Sequence, residues 1–153
     1  MKIRSFAGLA LAVSLCLALW VALPGHLAAQ NKEPWTGAQL MQPSELATAL
    51  QGRAVARPVV IDVGPAGQIK GALVAGPAHE ADGMETLRKL LDSIPRDREV
   101  VIYCGCCPFA KCPNVRPAFK TLLNMGFKRP RLLNLSHNLK ADWIDKGYPL
   151  ADQ

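Results

Sequence analysis

Between Pro43 and Lys146, compact apolar runs alternate with segments whose apolar residues recur at helical spacing. Pro58-Val59-Val60-Ile61-Asp62-Val63 and Glu99-Val100-Val101-Ile102-Tyr103 are rich in β-branched residues and bounded by turn residues. That pattern predicts strands buried on both faces. Arg131 to Leu135 predicts a third strand. Gly64 to Pro77, dense in glycine and proline, predicts a loop with one short strand at Ala72 to Ala75. Pro43 to Leu50 reads as a short helix, with proline in its first turn and Gly52 just past its end. Met84, Leu87, Leu90, Leu91 and Ile94 place a second helix over 80–94. Ala118, Phe119, Leu122 and Leu123 form the apolar face of a third, which stops at Gly126. Proline fits a first turn but disrupts an interior, so Pro117 puts the start of that helix between Asn114 and Pro117. Asn138 to Lys146 predicts a last short helix carrying Trp143. Strands alternating with helices imply an α/β domain of three layers, a parallel sheet covered by helices on both faces.

The first thirty residues follow a different rule. Lys2 and Arg4 precede a stretch from Phe6 to Leu23 without a charge, then Pro24-Gly25 and the small residues Ala28-Ala29. This is the layout of a secretory signal peptide, and we expect cleavage after Ala29. The rival is an uncleaved membrane anchor, since about 18 apolar residues can span a bilayer. Leu15 is too large for a lipoprotein cleavage site before Cys16. The expected organisation is a signal peptide over 1–29, an exposed leader over 30–38, the domain over 39–150 and a tail over 151–153. Localisation is then exported, periplasmic if the source is bacterial and secreted otherwise.

Export changes the meaning of the cysteines. Without Cys16 the chain keeps Cys104, Cys106, Cys107 and Cys112, all within nine residues. Disulfides are the ordinary expectation in an oxidising compartment. Such short loops gain little from cross-linking, so function explains the cluster better than stability does. Charge adds less. Removing Lys2 and Arg4 from 18 basic residues leaves 16 against 12 acidic ones, a net charge of +4. The surplus is scattered, with no basic run and no interleaved aromatics, so nucleic acid is not an expected partner.

The loop after Tyr103 leaves the carboxyl end of a buried strand, where open parallel sheets bind ligands. Cys104 stands at its start, facing the N-terminus of the next helix, which favours an anion and should help the thiol lose its proton. Successive amides of an arched loop make a nest for an anion, and Gly105 permits unusual backbone angles.

Six short motifs, in order, carry a resemblance. Val59-Val60-Ile61-Asp62-Val63, Gly71-Ala72, Val100-Val101-Ile102-Tyr103-Cys104, Gly126-Phe127, Trp143 and Gly147-Tyr148-Pro149 resemble the rhodanese-like domain, over about residues 39 to 150. The resemblance implies a central five-stranded parallel sheet and no cofactor. It implies a sulfurtransferase whose cysteine takes sulfane sulfur from a small sulfur-containing anion such as thiosulfate, or from a protein persulfide donor. That cysteine becomes a persulfide and hands the sulfur to a thiol acceptor. Cys104 matches it, Asp62 matches the acidic residue ending the second strand, and Trp143 matches a structural tryptophan. Three places depart from the family. Phe109 stands where the catalytic loop usually closes in arginine, Gly64 replaces the arginine after the Asp-Val pair, and Ser136-His137-Asn138 replaces a glycine pair. The fold expectation survives these changes, while the anion-binding loop has been rebuilt.

Cys106, Cys107 and Cys112 can resolve a persulfide on Cys104 by thiol exchange, or one pair can form a disulfide that shapes the loop. Four thiolates also suit zinc or Cu(I), but structural zinc sites join two separated cysteine pairs and this chain has one segment. The expectation is therefore no metal. Arg116 and Lys111 flank the loop and are candidates to meet an anionic substrate; His137 follows the third strand and reads as a locally bonded loop histidine. Three classes remain: an exported sulfurtransferase or persulfide carrier, a thiol-disulfide oxidoreductase using the cluster, and a non-catalytic metal- or partner-binding module.

Overall fold

The β-branched runs lie side by side at the centre of the computed structural model, which describes residues 33–52, 57–65, 67 and 69–152. The expected signal peptide and the first residues of the leader lie outside the described residues. In chain order the elements are β1 (Leu40–Met41), α1 (Pro43–Gln51), β2 (Val59–Asp62), β3 (Leu73–Val74) and α2 (Ala81–Asp92). They continue with β4 (Glu99–Tyr103), α3 (Val115–Asn124), β5 (Arg129–Leu133) and α4 (Leu139–Asp142). The strands form one five-stranded sheet in the order β1-β5-β4-β2-β3, every pair parallel. β4 sits at its centre, between β5 and β2.

Side chains of β4 alternate between two cores, as a period of two requires. Val100 and Ile102 pack with Leu87, Leu91, Ala118, Phe119 and Leu122, burying the apolar stripes of α2 and α3. Val101 and Tyr103 pack with Leu46, Leu133, Leu139 and Trp143 on the face covered by α1 and α4. The domain is thus the expected three-layer α/β arrangement. Trp143 is fully buried; its indole N–H donates to the carbonyl of Pro149 at 3.0 Å, so its burial leaves no polar atom unmet.

Several expectations need correction. β5 starts at Arg129, two residues earlier than Arg131. Pro130 stands near its beginning, before β1 starts to pair at Leu132, where a missing N–H costs no bond to β1. The last helix breaks at Trp143: α4 is followed by a 3₁₀ turn over Ile144–Lys146, closed by Gly147 at φ 67°. Of the described leader residues, Thr36, Gly37 and Ala38 are exposed as expected, but Trp35 is not. Trp35 is only 8% exposed and lies edge-on against Phe109 and Phe119, Gly37–Gln39 forms a 3₁₀ turn, and β1 follows directly. The basic surplus is partly consumed internally. Arg131 reaches Glu99, Glu45 and the carbonyl of Leu40, while Arg96 caps the end of α2 and stacks on Phe127. No described helix is long and apolar enough to cross a membrane.

Candidate functional site

Alternation along β4 puts Cys104, the first residue beyond the strand, in the core shared with Val100 and Ile102. The chain then arches over residues 105–114. Three contacts hold the arch: Leu139 donates to the carbonyl of Gly105 at 3.0 Å, Phe109 donates to that of Leu135 at 3.0 Å, and Phe109–Lys111 forms a 3₁₀ turn. Regular helix begins only at Val115, with Pro117 in its first turn, as its ring demands. Gly105 is required by space and not by an unusual φ, which corrects the sequence argument. A Cβ there would lie 2.9 Å from that of Leu139. Gly64 has a related role. A Cβ at residue 64 would come within 2.7 Å of the Cys104 sulfur, so glycine at this position leaves room for that thiol.

The four thiols are free and crowded. The Cys104 and Cys106 sulfurs are 3.3 Å apart, and those of Cys106 and Cys107 3.4 Å. The sulfurs of Cys104, Cys106 and Cys112 all lie within 4.8 Å of one another. Cys104 and Cys112 are buried, Cys107 is half-buried and Cys106 is exposed, so Cys106 forms the solvent side of the cluster.

Sequence reasoning missed the residue that fixes Cys104. Asn114 does not cap α3 with its side chain. It is buried, and its Nδ2 donates to the Cys104 sulfur at 3.4 Å. Its Oδ1 accepts from the His79 amide at 3.1 Å and meets His79 Nδ1 at 2.6 Å. The only sequence signal was an asparagine before a helix, which reads equally well as an ordinary cap.

The electrostatics also differ from expectation. Cys104 sits above the ordinary thiol range, chiefly because it donates to Cys112 and because it is buried. Cys112 sits below that range, through the hydrogen bond from Cys104 and the amides of Asn114 and Val115. The start of α3 therefore favours charge on Cys112, and Cys104 keeps its proton beside it. A strand end fixes one thiol and a helix start polarises the other, which pattern reading had merged into one residue.

Arg116 is engaged by Glu33 at 2.5 Å, by the carbonyls of Cys112 and Ala110, and by the face of Trp35. It supports the loop and is not held open for a substrate anion. Lys111 is exposed at the end of the 3₁₀ turn, with its side chain in no ion pair among the described residues. His137 pairs with Asp142 through both its amide and its ring. Asp62 is buried, its Oδ1 accepting from the Gly64 amide at 2.9 Å. It steadies the loop beside Cys104.

Among the described residues Asp62 Oδ2 has no hydrogen-bond partner, and burial pushes the carboxyl above the usual range, only partly offset by the Gly64 amide. A carboxyl raised in the folded state costs nothing while both states are protonated. Stability falls as pH rises from the unfolded value toward the folded one, and the cost persists above it. Asp62→Asn removes the buried charge and is therefore expected to raise stability at pH 7, by about 1–3 kcal/mol. The gain should vanish near pH 3, as read from urea unfolding at both pH values.

No family model matches the chain, and no curated protein matches it. In fold it is similar to two solved structures. One is a protein from Lactobacillus plantarum, 23% identical, with 74% of this chain and 87% of that one covered and a TM-score of 0.54. The other is a protein from Anabaena sp., 19% identical, with 72% and 89% covered and a TM-score of 0.54. At these identities the likeness is one of fold.

Proposed function

We propose that this protein is an exported rhodanese-like sulfurtransferase or persulfide carrier in which Cys104 receives and passes on sulfane sulfur. The observation that carries the reading is the placement of Cys104. It stands at the carboxyl end of the central strand of a parallel sheet, held by Asn114 and next to the Cys112 thiol. Uptake begins when the exposed Cys106 side chain turns aside, a motion of picoseconds to nanoseconds for a surface rotamer. The Cys104 sulfur then attacks the outer sulfur of thiosulfate. A new S–S bond forms on Cys104, the S–S bond of the donor breaks, sulfite leaves with the electron pair, and Cys112 takes the thiol proton. An acceptor thiolate next attacks the outer sulfur of the persulfide, and Cys104 leaves as thiolate and recovers a proton.

The experiment is intact mass of reduced protein before and after thiosulfate, with a gain of one sulfur expected. The short Cys104–Cys106 separation favours a second reading, thiol-disulfide exchange. There, two thiols pass two electrons and two protons to a partner disulfide, so reduced protein treated with a small disulfide loses two hydrogens, while thiosulfate alone leaves its mass unchanged.

Export rests on the run from Lys2 to Ala29. Protein recovered from the exported fraction is expected to begin within two residues of Gln30 on N-terminal sequencing. Intact Met1 in a membrane pellet would make the segment an anchor.

A further inference from the structure

A second cysteine segment is not needed to gather thiols in this fold. One arched loop brings the sulfurs of Cys104, Cys106 and Cys112 within 4.8 Å of one another. We propose that these three thiols form a trigonal, all-sulfur site for a single Cu(I) ion. Thiolate–metal bonds of about 2.3 Å place three ligand sulfurs roughly 4 Å apart, which suits this cluster with small side-chain adjustments. No histidine or carboxylate joins the group among the described residues, and Cys107 stands outside it. Soft thiolates suit Cu(I) and zinc alike, but structural zinc takes four protein ligands and three sulfurs converge here among the described residues, which favours trigonal Cu(I).

The surroundings are those of a holding site. Asn114 Nδ2 donates to the Cys104 sulfur, and the amides of Asn114 and Val115 reach the Cys112 sulfur, so the ligands carry outer-shell donors. Exposed Cys106 gives the ion its way in, and buried Cys104 and Cys112 exclude water behind it. The metal enters as Cu(I), so no electron is transferred. Each ligating thiol releases its proton to solvent. Metal binding stands apart from the sulfurtransferase reading; one consequence rests on that reading, namely that a Cu(I)-bound Cys104 cannot attack a sulfur donor.

The test is anaerobic titration of the reduced, purified protein with Cu(I) against a chromophoric Cu(I) chelator, alongside sulfur uptake by intact mass. One ion per chain is expected. Cys104→Ser, Cys106→Ser and Cys112→Ser should each weaken binding by more than about 100-fold, beyond the loss of an outer-shell partner. Cys107→Ser, which touches the Cys106 and Cys112 sulfurs without joining the group, should weaken binding by less than about 100-fold, the range of an outer-shell partner. Circular dichroism and melting check the two buried variants, and the exposed Cys106→Ser variant keeps the test decisive where either fails to fold. Binding indifferent to Cys106→Ser, or as sensitive to Cys107→Ser as to the others, overturns the site. Protein that gains sulfur but binds no Cu(I) overturns the site and leaves the sulfurtransferase reading standing. Protein that binds Cu(I) but never gains sulfur does the reverse.

Discussion

Trp35→Ala is expected to lower the free energy of unfolding by about 3–5 kcal/mol, the usual cost of emptying a large buried aromatic site. An exposed leader residue would change it by less than about 0.5 kcal/mol, so urea unfolding separates the two descriptions. Trp35 meets Phe119 of α3 at 5.7 Å between ring centroids, and Phe109 of the cysteine loop at 6.1 Å. Arg116 lies over the same ring, bonded on one side to Glu33 and on the other to the carbonyls of Ala110 and Cys112. Removing the indole therefore unpins the loop as well as the leader. The buried thiols Cys104 and Cys112 should then be alkylated faster by a bulky thiol reagent, before global unfolding begins. If stability falls while their protection is unchanged, the leader supports the core but not the loop.

Trp35 also marks the limit of what the sequence could tell. Val59 to Asp62 and Glu99 to Tyr103 were legible because a strand buried on both faces must be apolar throughout, whatever its neighbours. α2 and α3 were legible because one face of each is apolar at helical spacing. Leu40–Met41 was not, since a two-residue strand has no period to display and exists only because β5 is there to pair with it. Trp35 was lost for the same reason: its partners lie more than seventy residues away in sequence. At the site, Cys104 was placed by a local argument, as the first residue past a strand end. The roles of Gly64, Asn114 and His79 depend on segments that meet only in the fold, and nothing local distinguishes an asparagine that caps a helix from one that holds a thiol. The expectation that helix α3 would act on Cys104 failed by one step. The amides at its start reach Cys112, and Cys112 acts in turn on Cys104.

That division of labour sets the result expected from single replacements. Cys104→Ser should abolish sulfane sulfur uptake, a loss of at least about 1,000-fold in rate, as expected when a nucleophile is removed. Serine keeps the size of the buried group, and a hydroxyl can still accept from Asn114 Nδ2, so the fold should persist and the loss can be read as chemical. Cys112→Ala should slow uptake without abolishing it, because Cys104 then lacks the neighbour to which it donates its proton. Cys106→Ser removes the exposed thiol that lies 3.3 Å from Cys104. In the parent protein that thiol can attack the inner sulfur of the persulfide, forming a Cys104–Cys106 disulfide and expelling hydrosulfide. The variant should therefore still gain one sulfur and hold it longer, as followed by intact mass over time. Cys107→Ala is expected to keep uptake and change its rate less than Cys112→Ala does, since the Cys107 sulfur touches Cys106 and Cys112 but lies outside the Cys104 group. If Cys104→Ser still gains sulfur while Cys106→Ser does not, the exposed cysteine is the nucleophile. Cys104 would then be its buried partner, and the rebuilt loop would have moved the chemistry from the strand end to the surface.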